Sequence, residues 1–144
     1  MFDELVQKLK QCQQANYEAG QTYIRVLPSG PKGFPVMIEW VWGAHFNVFL
    51  DGWHQDFETY QEAVRCFALA VSGHYRLKTR SKGGFRFRWT VEYWDGTDWV
   101  EDSTTTDLFY PFWKPTSTSY LRNELHCGDA RDMSWTAGNL AAVS

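Results

Sequence analysis

The sequence predicts an α+β domain: a largely antiparallel sheet of about 5–7 strands, with two amphipathic helices over about 2–19 and 57–72 on one of its faces. Three observations lead there. Two segments repeat apolar residues at helical spacing, most of the remaining chain alternates apolar with polar residues, and no repeat or linker divides the 144 residues. Residues 1–144 therefore form a single globular domain, long enough to bury a core without disulfides or a structural metal.

The first helix is expected from Phe2, Leu5, Val6 and Leu9, which form one apolar stripe, with Gly20 as its stop. Its second half, "QCQQANYEA", is polar, so only the first turns would pack. "TYIRVL" alternates as a strand and runs into the Pro/Gly loop "PSGPKGFP". "VMIEWVWGAHFNVFLDGW" reads as two apolar, central strands joined at Gly43-Ala44 and ending in an Asp51-Gly52 turn. Thr59 and Glu62 have capping-box spacing. Tyr60, Ala63, Val64, Phe67, Ala68 and Val71 then line one face of the second helix, which Gly73 ends. Alternation returns over about 75–79, 85–94, 98–103 and 107–112, and "YLRNEL" is a last strand or a short helix. The tail after about 126 reads as weakly ordered.

Composition excludes several classes. At 44% hydrophobic and 22% charged residues the chain is globular rather than disordered. Its formal net charge of -3 gives no overall attraction to nucleic acid or anionic membranes, so any anion site must be local. The N-terminus "MFDELVQKLK" lacks the apolar region of a signal peptide, and no apolar run is long enough to span a membrane. Cys12, Cys66 and Cys127 are odd in number and far apart, resembling neither a disulfide framework nor a zinc ribbon, and suit a reducing cytoplasm. The sequence contains no G-x-S-x-G, H-E-x-x-H or G-x-G-x-x-G, and no cofactor or metal is expected.

Three constellations remain. Aromatic content is 17%, including 8 Trp, more than a core of this size readily hides. "LFYPFWKP" concentrates it: Phe109, Tyr110, Phe112 and Trp113, broken by Pro111, form either a core-covering edge or a surface for a protein partner or a second copy. The second constellation is "YRLKTRSKGGFRFRW". Arg76, Lys78, Arg80, Lys82, Arg86 and Arg88 are six of 14 basic residues, with no acid among them. A hairpin around "RSKGG" would pair Tyr75 with Trp89, Leu77 with Phe87 and Thr79 with Phe85, setting Arg76 against Arg88 and Lys78 against Arg86. Either Glu92, Glu101 and Asp107 neutralise that face, with Asp107 opposite Arg86, or it meets nucleic acid or a nucleotide, with Trp89 and Trp94 as stacking platforms. The third is "DGWHQDFE", where His54 and Asp56, with His45 a strand away, could serve a hydrolase-type reaction. Turn formation by Asp51 and helix-dipole charges at Asp56 and Glu58 explain the same residues without chemistry. The leading expectation is non-catalytic binding of a protein partner or of itself.

Overall fold

The computed structural model describes residues 2–127 other than 14, 29 and 44. The side chains of 13, 126 and 127 lie outside the described residues, and so does the tail expected to be weakly ordered. In chain order the elements are α1 (Asp3–Lys10), β1 (Cys12–Gln13), β2 (Asn16–Ala19), β3 (Tyr23–Leu27), β4 (Val36–Val41), β5 (His45–Leu50), β6 (Trp53–Phe57), α2 (Tyr60–Val71), β7 (Tyr75–Lys82), β8 (Phe85–Trp94), β9 (Trp99–Thr106), β10 (Thr116–Arg122) and β11 (His126–Cys127).

The first helix is half the expected length. Leu5 and Leu9 are buried, and acids in the first turn with lysines in the last suit its dipole. Beyond Leu9 the apolar stripe runs out, so further helix would have no face to bury. The chain instead becomes β1 and β2, and β2 pairs with β3. Gly20 makes that hairpin rather than stopping a helix: its N–H donates to the Tyr23 carbonyl at 2.9 Å. The second helix is as expected. The Thr59 hydroxyl accepts the Glu62 N–H, and Ala63, Phe67, Ala68, Ala70 and Val71 are buried.

The α+β class holds, but the strands divide between two antiparallel sheets, β2-β3-β4-β5-β6 and β10-β7-β8-β9, with β1 and β11 forming a separate short ladder. Helix α2 packs on β4, β5 and β6. Phe2 stacks on Tyr60 and meets Phe46 edge-on, so the start of α1 lies on the same face of the five-stranded sheet. Strand β6 was hidden in the sequence by its exposed His54, Gln55 and Asp56. It faces β8 and β9 and so links the two sheets.

The short ladder corrects the reading of the cysteines. Cys12 lies opposite Cys127 in its register, and Cys12 is disulfide-bonded, whereas Cys66 is free and buried. Distance along the chain says nothing about distance in space, and cysteine usage no longer argues for a reducing cytoplasm. Among the described residues no helix is long and apolar enough to cross a membrane.

Candidate functional site: a basic sheet face and an aromatic loop

The β7–β8 hairpin turns on Gly83 and Gly84, with φ of 59° and 83°. Two residues in this left-handed conformation give the tight turn whose twist matches the strands, and only glycine adopts it without strain. The five-residue loop "RSKGG" is therefore replaced by a two-residue one, β7 extends to Lys82, and the whole register moves. Tyr75 faces Tyr93, Arg76 faces Glu92, Leu77 faces Val91 and Thr79 faces Trp89. Leu77, Thr79, Trp89 and Val91 form the buried side.

In this arrangement three of the six cations meet an acid. Arg76 meets Glu92 at 2.6 Å rather than Arg88, and Lys78 lies 3.5 Å from Glu101. Arg86 donates to Asp51 at 2.8 Å, an acid the sequence reading had assigned only to a turn. Asp107 does not reach Arg86. An irregularity between Val91 and Glu92 advances β9 by one residue, so Arg88 faces Thr106 and the Asp107 N–H donates to the Phe87 carbonyl at 2.8 Å.

Trp89 is not a stacking platform. It is 7% exposed, and its Nε1 donates to Asp51 at 2.9 Å. Gly52, beside Asp51, admits the ring: a Cβ there would lie 2.3 Å from indole carbons. Gly52→Ala should therefore cost about 1–3 kcal/mol by overpacking. Denaturant melts would check this, and an unchanged midpoint would mean Trp89 is seated elsewhere.

Three of the six cations, Arg80, Lys82 and Arg88, have no acid among the described residues. Arg80 sits directly opposite Arg88, and neither forms an ion pair among the described residues. Arg88 makes only a long contact, 3.4 Å, with the Thr106 hydroxyl. Lys82 donates to the Thr116 hydroxyl at 2.8 Å. On the same face the Arg76 guanidinium lies 4.6 Å from the Trp99 ring centroid and 4.2 Å from that of Tyr120, and Arg122 lies 5.3 Å from Trp99. Tyr120 and Arg122 were not foreseen, because "YLRNEL" read equally as a last strand or a short helix, whereas the strand runs over Thr116–Arg122.

Residues 107–115 form the crossover between β9 and β10 rather than a strand. Pro111 and Pro115 have no N–H for a ladder. At the base, Tyr110 stacks on Phe87 with centroids 4.4 Å apart, and the Gly83 N–H donates to the Pro115 carbonyl. From that base Leu108, Phe109, Phe112 and Trp113 project with 86%, 88%, 71% and 71% of their surface exposed. Phe112 and Trp113 contact each other edge-on at 5.2 Å. Of the four aromatics expected at a partner surface, three are free to meet one, while Tyr110 holds the loop down.

Comparison with protein-family models, with curated proteins and with solved structures finds no match for this chain. The geometry of its surfaces therefore carries the functional argument alone.

His54 and Asp56 are not brought together as a pair. Asp56 lies 3.9 Å from His45 instead, while the exposed His54 sits against the ring of Phe49. Asp56 lines a cleft of about 410 Å³ with Glu58, Glu62, Arg65, Cys66, Tyr75 and Asp102. Its thiol and its phenol are both held protonated. Burial, then the nearby Asp102, pushes the Cys66 thiol up to about 12, and burial likewise raises the Tyr75 phenol. His74, just past the end of α2, is held towards its neutral form by burial and by Arg122, with Nδ1 2.8 Å from the Ser72 hydroxyl. Among the described residues no group of three His, Cys, Asp or Glu side chains could hold a metal ion.

Proposed function

We infer that this protein is a non-catalytic binding module that engages a protein partner, or a second copy of itself, through the loop between β9 and β10. The observation that carries this reading is the exposure of Leu108, Phe109, Phe112 and Trp113 within six residues. A contiguous apolar patch of this kind is unfavourable in water and marks an interaction surface. Aromatic residues supply the largest contributions at interface centres. The loop is also prepared for binding. Tyr110 on Phe87, the anchored Asp107 and Pro115 backbones and two prolines reduce the freedom that docking must remove.

Trp113→Ala tests the reading. Trp113 touches only Phe112 among the aromatic contacts, so the change should leave the fold intact. It should weaken association by about 2 kcal/mol, roughly 30-fold. Sedimentation over a range of concentrations, with a pull-down by wild type and variant in parallel, measures both forms of association. A wild-type chain that stays monomeric, together with co-purifying proteins indifferent to Trp113→Ala, would overturn the reading.

A further inference from the structure

We propose that the open face of the four-stranded sheet binds single-stranded nucleic acid, with Arg80 and Arg88 gripping a phosphate and Tyr120 offering its ring to a base. This surface is distinct from the apolar loop.

Three rows cross all four strands, each made of successive Cα partners. They are Thr118–Arg80–Arg88–Thr106, Tyr120–Lys78–Thr90–Thr104 and Arg122–Arg76–Glu92–Glu101. Five cations and two carboxylates share this face, an excess of three positive charges on a chain whose formal net charge is -3. The excess is concentrated in the first row. The carboxylates lie in the third row, where Glu92 holds Arg76, and Glu101 reaches back to Lys78. Among the described residues Arg80 and Arg88 have no such partner, although cross-strand like charges repel. An anion between them would turn that repulsion into two charge-assisted contacts, with the Thr118 and Thr106 hydroxyls on either side as further donors.

The face is open. Thr104, Thr106, Thr118 and Tyr120 are exposed, the last by 49%. Arg80 and Arg88 are half-buried, with part of each side chain still open to solvent. An antiparallel sheet face with accessible cations and a ring accepts a splayed strand, whose bases stack while its phosphates are held. The paired bases of a duplex cannot reach a ring in this way. A membrane headgroup would satisfy the arginines but give Tyr120 nothing to stack on.

The test is fluorescence anisotropy of labelled oligo-dT and oligo-U, at salt rising from about 50 to 200 mM. Wild type, Arg80→Gln/Arg88→Gln, Tyr120→Ala and Trp113→Ala are compared, with circular dichroism to confirm folding. Binding should saturate at the lower salt and weaken steeply as salt rises. The double variant should bind at least about tenfold more weakly, with a log–log salt slope shallower by about 0.7, the value for one single-strand phosphate no longer neutralised. Tyr120→Ala should weaken binding at least about fivefold. Trp113→Ala should leave binding unchanged, which separates this surface from the loop.

The absence of saturable binding at the lower salt would overturn the proposal. So would equal affinity in the double variant. Inorganic polyphosphate competing as well as the oligonucleotide, with Tyr120→Ala silent, would show charge without base recognition and sink the nucleic-acid assignment. Preferential binding to phosphatidylserine vesicles would do the same in favour of a lipid surface.

Discussion

Arg76→Met should destabilise the fold by about 3–5 kcal/mol, far more than loss of an ordinary surface arginine. The reason lies with the partner. The Glu92 side chain is only 7% exposed, and both the Nε and Nη2 of Arg76 donate to its Oε1, at 2.8 and 2.6 Å. Removing the guanidinium leaves a carboxylate in a site where water cannot replace the contact. Methionine also removes the guanidinium that lies 4.6 Å from the Trp99 ring and 4.2 Å from the Tyr120 ring, so lost cation–π contact adds to the effect. One control separates the causes. Arg76→Met/Glu92→Gln should recover much of the loss, because the amide carries no charge to desolvate. Urea melts of the three proteins give the energies directly. A single variant within about 0.5 kcal/mol of wild type would show that Glu92 is hydrated in solution.

Trp53→Ala should cost about 3–5 kcal/mol by a different mechanism. Trp53 is 2% exposed and belongs to the shared core, and its Nε1 donates to the Ser103 hydroxyl on β9 at 3.1 Å. It therefore fills space beneath the five-stranded sheet and bonds to the four-stranded one. Alanine would leave a cavity at the junction and remove the donor to Ser103. Trp53→Phe keeps most of the volume and should lose about 1 kcal/mol for the hydrogen bond, plus a packing penalty under about 1.5 kcal/mol. Thermal melts followed by near- and far-ultraviolet circular dichroism would report the result. Two separated transitions in the alanine variant would mean that Trp53 couples the sheets. A single transition with an unshifted midpoint would mean the junction is held elsewhere.

The parts of the fold legible in the sequence were those dictated by local chemistry. Thr59 and Glu62 announce α2 because capping is settled within one turn. The apolar runs of β4 and β5 likewise read as central strands. What escaped depends on partners distant along the chain. Gln11 to Ala19 leave helical spacing because β3 and β11 are there to pair with, and Cys12 meets Cys127 only in the folded ladder. The β7–β8 register turned on whether Gly83-Gly84 closed the hairpin alone or within a longer loop, and that choice decided which acid each arginine found. Glu92 and Glu101 were recognised as neutralising groups, whereas Asp51 was not. Its role needs the β5–β6 turn to lie against β8, which no local pattern shows. The exposed aromatics at 108–113 were legible as a feature, and their projection from the crossover became visible only with Tyr110 seated on Phe87.

The order β10-β7-β8-β9 also bears on how the chain is made. β10 completes its sheet by pairing with β7, joining residues that lie 34 to 46 positions apart, from Lys82 with Thr116 to Arg76 with Arg122. During synthesis from the N-terminus β7 is therefore available to β8 long before β10 emerges. At about 5–20 residues per second that interval lasts seconds. Throughout it, one edge of β7 presents unsatisfied backbone groups beside Leu77 and Thr79, the conditions under which nascent chains pair with one another. The row of arginines and lysines along that edge, Arg76, Lys78, Arg80 and Lys82, keeps like edges apart by mutual repulsion. The same charges would then protect the unfinished chain on the ribosome.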